Sequence, residues 1–381
     1  MLNKLHITRG RNDILIAANG QEYIDFITGF GAVLLGHSHQ PILDRVRKQL
    51  DDVCLTGRLP APVIEEAAKL VTAGLKEPYR FLQFYSSGND AVEFAIRLAT
   101  TATRRKVLVG FARSMHGKSI AASALCWQND FADLKNVYTL PFVDTCSESE
   151  ILERLKRKLI SRNVAAVFLE LIQGTNGAHE ATPEFYRAVS DSCREYGTLC
   201  VVDEVLTGFY RSGFLSYSQE IGLTPNILIF GKAMGNGFPV SAVVCQSGIE
   251  VTDAMLLGST FSNNPLVASA VAATLTEMQR LNMDRLLGNV DKTVRSELSS
   301  LNEHGVSLRG RGALWVLELP DSRAALDVQV TALSANILLS ANGRFVRLFP
   351  PATISSANLY KALHIVSEAC LKSLNARSNQ R

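Results

Sequence analysis

From about Phe81 onward the chain alternates short, continuously apolar runs with amphipathic stretches, and this alternation most restricts how it can fold. Phe81-Leu82-Gln83-Phe84-Tyr85 passes through Ser86-Ser87-Gly88-Asn89 into the helical pattern of residues 91–99. Residues 106–111, 165–169, 199–203 and 227–230 are further apolar runs. A strand that is apolar on both faces must be covered on both, so such runs separated by helices predict an α/β fold. Its mostly parallel sheet is sandwiched between helix layers. A sheet of this kind binds ligands at the carboxyl ends of its strands.

Upstream, residues 14–17 and 23–26 flank Asn19-Gly20, a strong hairpin signal. Gly29-Phe30-Gly31 and Leu35-Gly36-His37 then punctuate a stretch too irregular for a helix. Past about Asn282 a helical pattern over residues 284–300 leads to strand-like residues 306–319 and 345–348. A last helix starts near Ala357, and residues 376–381 read as a disordered tail. The 381 residues exceed what one core usually supports. The expected division is an N-terminal segment (1–50), a large ligand-binding domain (51–282) and a smaller C-terminal α+β domain (283–381) that packs with the N-terminal segment.

Charge and cysteine usage exclude several functions. The net charge is only +3, and the basic runs Arg104-Arg105-Lys106 and 154–158 are short, so nucleic acid is not an expected partner. Cys54, Cys126, Cys146, Cys193, Cys200, Cys245 and Cys370 show neither C-x-x-C pairs nor Cys/His ligand spacing. They read as reduced thiols, with no metal site. The N-terminus turns polar at Thr8-Arg9-Gly10-Arg11 before a signal-peptide core forms, and no run of eighteen apolar residues exists. A soluble, cytoplasmic protein with no membrane partner is expected.

Three features at strand ends carry chemistry. Ser87-Gly88-Asn89 joins a strand to a helix start, where free N–H groups and the positive dipole end can cradle a phosphate; the same residues equally serve as a plain helix cap. Asp203 closes an apolar strand, where a carboxylate needs a cation or donor: a protonated pyridine nitrogen, or an ordinary ion pair. Lys232 follows residues 227–230 within Gly231-Lys232-Ala233-Met234-Gly235-Asn236-Gly237. Desolvation there would make it a nucleophile, although a lysine at a strand exit is more often just solvated. Together the anion cradle, the acid and the amine match the phosphate, ring nitrogen and aldehyde of pyridoxal 5′-phosphate.

Nearly end to end, the chain resembles the class III aminotransferases, the group of ornithine, acetylornithine, diaminobutyrate and 4-aminobutyrate aminotransferases and glutamate-1-semialdehyde aminomutase. Gly36-His37-Ser38-His39-Gln40-Pro41 resembles G-H-x-H-P, and Ser87-Gly88-Asn89-Asp90-Ala91 resembles S-G-T-E-A. Met115-His116-Gly117 stands where an aromatic-His-Gly stacks on the ring, and Glu170 with Gln173-Gly174 resembles V-E-P-x-Q-G. Asp203-Glu204-Val205, Thr207-Gly208 and Arg211-Ser212-Gly213 resemble D-E-V-x-T-G-x-x-R-T-G; Thr260 to Pro265 resembles T-F-x-G-N-P.

The resemblance implies a fold type I pyridoxal-phosphate enzyme with a seven-stranded sheet, working by ping-pong transamination between an amine or amino acid and a 2-oxo acid such as 2-oxoglutarate. Lys232 becomes the Schiff-base lysine and Asp203 the partner of the ring nitrogen. Ser87, Gly88, Asn89, Met115, His116, Glu170 and Val205 become cofactor contacts. Thr260 reaches across a homodimer to the neighbour's phosphate, which places the active sites at the subunit interface. Arg347, in Arg347-Leu348-Phe349-Pro350-Pro351, clamps a substrate carboxylate, and Phe30 belongs to the substrate segment.

Three positions depart from the pattern. Met115 replaces the stacking aromatic, Leu206 stands where several members carry glutamine, and Thr175 replaces a glutamate that pairs with the clamp arginine in ornithine- and 4-aminobutyrate-type enzymes. Without that glutamate Arg347 should stay unpaired in the resting site. The alternatives are an aminomutase or epimerase on the same cofactor, and an idle homologue acting as a binding partner.

Overall fold

The computed structural model describes residues 5–57, 59–76, 78–125, 134–256 and 258–378, so Cys126 and the last three residues lie outside it. Its central sheet has seven strands, in the order Tyr79–Tyr85, Ser241–Gln246, Ile227–Gly231, Leu199–Glu204, Val164–Leu169, Val107–Phe111 and Val137–Leu140. Ser241–Gln246 is antiparallel to both its neighbours; every other pairing in this sheet is parallel. Five of the strands are those read from the sequence, while Val137–Leu140 and Ser241–Gln246 were not assigned there.

Strand alternation sends successive side chains to opposite faces. Leu228 and Phe230 enter one core, which also holds Ile151, Leu155, Phe185 and Val189 from the helices Glu148–Leu159 and Pro183–Glu195. Ile227 and Ile229 enter the other, against Val92, Phe94, Ala95 and Leu98 of the helix Gly88–Thr103. Burying each such large aliphatic or aromatic side chain is worth about 1.5–3 kcal/mol, so the two helix layers and the sheet hold one another in register. Capping sets where the crossover helices begin. The Thr182 hydroxyl accepts from the Phe185 N–H at 3.2 Å ahead of Pro183, and the Ser87 hydroxyl accepts from the Asp90 N–H at 3.3 Å.

Two smaller sheets flank the large one. Ile7–Arg11, Ile14–Ala17 and Glu22–Asp25 are antiparallel, and Ile337–Leu338 adds parallel to Glu22–Asp25, so the N-terminal lead and the C-terminal part share a sheet. The expected hairpin closes through Ala18, Asn19 and Gly20: the Ala17 N–H donates to the Gln21 carbonyl, the Gly20 N–H donates to the Ala17 carbonyl, and Gly20 sits at φ +83°. Ser307–Arg311, Leu314–Glu318, Phe345–Leu348 and Ser340–Asn342 form an antiparallel sheet. The last helix, Ser356–Ser378, continues into the stretch read as a disordered tail.

The glycine-punctuated lead contains one feature of its own. Thr28, Gly29, Phe30 and Gly31 all have positive φ, at 45°, 61°, 57° and 88°, making a single left-handed turn. Among the described residues no helix is long and apolar enough to cross a membrane, and no cluster of three or more His, Cys, Asp or Glu side chains could hold a metal. Cys193, Cys200, Cys245 and Cys370 are buried free thiols, Cys146 is half-buried and Cys54 exposed.

Candidate active site

The strands Tyr79–Tyr85, Val107–Phe111, Val164–Leu169, Leu199–Glu204 and Ile227–Gly231 run in one direction, so their carboxyl ends share an edge. A cavity of about 420 Å³ opens there. It is lined by nine of the residues singled out from sequence: Ser87, Gly88, Asn89, Met115, His116, Glu170, Asp203, Val205 and Lys232. Its volume suits a small cofactor with a substrate.

At one end lies the start of the helix Gly88–Thr103. Gly88 and Asn89 are its first residues, so their N–H groups have no acceptor within the helix. The Ser87 hydroxyl caps the helix by accepting from Asp90 N–H, so it does what a plain cap would do. Ser241 Oγ donates to the Ser87 carbonyl at 2.6 Å and pins the turn to the neighbouring strand. A Cβ on Gly88 would stand 3.1 Å from Val205 Cγ1, which lets the helix start lie close against that side chain. Asn89 Oδ1 accepts the N–H groups of Lys118 and Ser119, at 2.7 and 3.0 Å, closing the loop after Phe111 over the same end.

Asp203 anchors the floor. Its Oδ1 accepts the Val205 N–H at 3.0 Å and its Oδ2 lies 2.9 Å from His116 Nδ1. Both side chains are buried, and His116 Nε2 is buried with no partner. Burial opposes the imidazolium. The hydrogen bond and charge of Asp203, with the charge of Glu170, outweigh it and hold His116 above the ordinary histidine range. Glu170 Oε2 accepts the Met115 N–H at 2.6 Å. Burial pushes this carboxyl up to about 7; the cations His116 and Lys232 pull it down, and Asp203 adds to the rise.

Lys232 follows the strand Ile227–Gly231 at φ +44° and extends into the cavity, where no hydrogen bond or ion pair reaches it among the described residues. Burial lowers its ammonium below the ordinary lysine range; Glu170 and Asp203 oppose that shift, while Arg347 and Arg211 add to it. Lys232 is thus a buried amine at positive φ rather than a solvated strand end, a state in which a lysine can act as a nucleophile.

Phe30, Thr260 and Arg347 do not line this cavity. Thr260 is exposed, beside the exposed Phe261. Arg347 lies on Phe345–Leu348, where its Nη2 donates to Ser340 Oγ at 2.6 Å and its Nε is buried without a partner. No carboxylate pairs with it among the described residues. Burial lowers its guanidinium, and the Phe30 ring lies 5.5 Å from Cζ. Thr175 Oγ1 is buried and unpartnered.

Sequence reasoning missed one contributor, Lys118, and placed Gln173 in a motif without giving it a role. Lys118 lines the helix-start end of the cavity, where its N–H donates to Asn89 Oδ1. Gln173 Nε2 donates to the Ala112 carbonyl and to Ser114 Oγ, at 3.1 and 2.9 Å, fixing the loop that carries Met115 and His116. No sequence spacing announces that contact.

The fit to pyridoxal 5′-phosphate rests on the donor set: a helix start without acceptors, a buried carboxylate and an unpartnered amine around one cavity. A family model described as "Aminotransferase class-III" matches residues 1–370. The acetylornithine aminotransferase of Halalkalibacterium halodurans is 32% identical over 377 residues, covering 95% of this chain and 94% of that one. The [LysW]-aminoadipate semialdehyde/glutamate semialdehyde transaminase of Sulfurisphaera tokodaii is 28% identical, covering 98% and 97%. The solved structure of an S-selective transaminase from Arthrobacter sp. superposes with a TM-score of 0.90 at 22% identity, covering 98% of this chain and 95% of that one.

Proposed function

Because this chain belongs to the class III aminotransferase family, a pyridoxal-phosphate-dependent group, we propose that Lys232 is its cofactor lysine and Asp203 the partner of the ring nitrogen. The protein is an aminotransferase and moves an amino group between an amino donor and a 2-oxo acid. The observation that carries the residue assignment is the meeting of Lys232, Asp203 and the helix start at residues 87–89 around one cavity.

When bound, pyridoxal 5′-phosphate supplies an electron sink for charge that develops on the substrate carbon bearing nitrogen. The N–H groups of Gly88 and Asn89, at the positive end of their helix, would hold its phosphate. Asp203 keeps lone pairs free beyond those used by Val205 and His116, and would hold the ring nitrogen. Val205 and Met115 would bracket the ring, a thioether standing in for an aromatic face. Lys232 Nζ would hold the aldehyde and, once the incoming amine has displaced it, would be free to act as general base toward the proton on the substrate carbon that bears nitrogen. Arg347 binds a substrate carboxylate through its N–H edge, which favours glutamate and 2-oxoglutarate as one pair. Residues 51–282 thus carry the cofactor site, while 1–50 and 283–381 contribute Phe30 and Arg347.

The working unit is a homodimer in the cytoplasm. Exposed Phe261 borders a small cavity that shares Ser86 and Pro239 with the large one, and exposed Ile120 stands two residues past Lys118. Apolar side chains left in water at an active-site mouth suit a second copy of the chain. That copy would present Thr260, which lies outside its own chain's cavity.

The test is spectral. Glutamate should bleach the visible band of the cofactor-loaded protein and 2-oxoglutarate should restore it. Bleaching without recovery would point to an aminomutase or to a different acceptor.

A further inference from the structure

We propose that the chain holds a second small-molecule site, separate from the cofactor cavity, which binds a free amino acid as its zwitterion. The site is a cleft between the helix Met283–Leu298, the turn at residues 212–214 and the hairpin turn at residues 311–312. It offers about 440 Å³ and shares no lining residue with the cofactor cavity. That volume is ample for one amino acid. Three observations carry the proposal.

The first is the helix face. Asp284, Gly288, Asp291 and Arg295 follow one another at spacings of four, three and four residues, so one stripe of the helix looks into the cleft. Gly288 lies inside this sixteen-residue helix without a positive φ, and a Cβ added to it would meet no atom within 4 Å. Neither backbone conformation nor packing asks for glycine there, and in a helix interior only proline is a poorer helix former. The effect of the glycine is a bare cleft floor that a ligand can approach closely.

The second is how the charges of the cleft pair. Asp291 is fully employed: its Oδ1 accepts the Gly312 N–H at 2.8 Å and its Oδ2 accepts the Arg295 Nε–H at 2.7 Å. These bonds join helix to hairpin and neutralise that end. An acid and a base are left over. Asp284 has no hydrogen-bond or ion-pair partner among the described residues. Arg311 Nη2 donates to the two carboxylate oxygens of Glu180, at 3.0 and 3.1 Å, while Nη1 and Nε have no partner among the described residues. A ligand that answers both must bring an ammonium for Asp284 and a carboxylate for Arg311. The third observation is the apolar wall. Buried Leu287 and half-buried Phe214 line the cleft, where the ligand's side chain finds apolar surface. The Tyr210 N–H donates to the Phe214 carbonyl at 2.8 Å, and the Phe214 ring stacks on Tyr217 with centroids 6.1 Å apart. The wall is therefore formed before a ligand arrives.

The probe is N,N-dimethyl-L-phenylalanine, a zwitterion whose tertiary ammonium cannot condense with the cofactor, titrated calorimetrically into the cofactor-loaded protein at neutral pH. It should bind with a Kd of about 1 mM or tighter and leave the visible band unchanged. Asp284→Asn should raise the Kd about fivefold, the scale of an ammonium–carboxylate contact partly open to solvent. 3-Phenylpropanoate, which lacks the ammonium, should bind the wild type no better than the zwitterion binds Asp284→Asn. Gly288→Leu fills the cleft with a good helix former, so binding should be lost with no fall in Tm. Binding that survives in Gly288→Leu would overturn the proposal. So would a shift of the visible band, which puts the probe in the cofactor cavity, or equal affinities for the zwitterion and 3-phenylpropanoate. Absence of heat up to about 10 mM probe would do the same. If Gly288→Leu proves unstable, Asp284→Asn decides, because Asp284 is exposed: an unchanged Kd there also overturns the site.

Discussion

His116 Nδ1 stands 2.9 Å from Asp203 Oδ2 in a fully buried contact, while the second ring nitrogen, Nε2, has no partner. The histidine therefore serves Asp203 first: it donates to one carboxylate oxygen as the Val205 N–H donates to the other. His116→Phe keeps the ring volume against Phe168 but removes the donor. Leaving a buried carboxylate short of a hydrogen bond costs roughly 1.5–3 kcal/mol. Thermal unfolding of the cofactor-free variant should show a Tm several degrees lower, and cofactor titration a weaker Kd. His116→Asn, whose amide nitrogen can stand near Nδ1, should recover part of both. A phenylalanine variant with unchanged Tm and cofactor affinity would deny His116 this role.

Glu170 gives stability a pH dependence. Its folded pKa is raised by burial to about 7, above the 4.5 of the unfolded chain. A raised folded pKa means the folded state holds the proton more tightly. That stabilisation is complete below about 4.5 and is lost as pH climbs through about 7. Glu170→Gln keeps an acceptor for the Met115 N–H but cannot ionise. The cofactor-free glutamine variant should thus match the wild type near pH 4.5 and become the more stable of the two between roughly pH 5 and 8. A Tm difference that stays flat across that range would mean that Glu170 is not the titrating group.

These contacts mark how far the sequence could be read. Continuous apolar runs disclosed five strands because both faces of each are buried, and the strand-end rule then brought Ser87, Asp203 and Lys232 to one edge. Val137–Leu140 escaped because it is an edge strand whose Tyr138 and Thr139 are exposed, so no buried run shows. Ser241–Gln246 is as apolar as its neighbours, but its reversed direction depends on partners distant in sequence. The pairing of His116 with Asp203, 87 residues apart, and the support Gln173 gives the Met115 loop exist only after folding. The left-handed turn was invisible for another reason: neither Thr28 nor Phe30 favours positive φ, and only tertiary anchoring imposes it.

Lys232 should be the covalent attachment point of the cofactor. Its lowered pKa leaves more neutral amine at a given pH than a solvated lysine has, and no acidic partner holds it away from the cavity. After borohydride treatment of the loaded protein, mass spectrometry of peptides should find the cofactor on Lys232. In Lys232→Ala no peptide should carry it. Label on another lysine of the wild type would relocate the site.

Leu206 occupies a slot made by two glycines. A Cβ on Gly174 would fall 2.2 Å from Leu206 Cδ2, and one on Gly31 would fall 2.8 Å from Cδ1. Gly174 does not need positive φ, so an alanine there meets only a steric objection, whereas Gly31 at φ +88° adds backbone strain. Overpacking of this kind costs about 1–3 kcal/mol. Gly174→Ala should therefore lower Tm, and adding Leu206→Ala should restore much of the loss, a double-mutant coupling of roughly 1 kcal/mol or more. Gly31→Ala should be rescued less by the same second substitution, because the leucine explains only part of its cost. Equal rescue at the two glycines would show that the backbone strain at Gly31 carries no weight, and additive losses at Gly174 would show that Leu206 does not fill the space the glycine leaves.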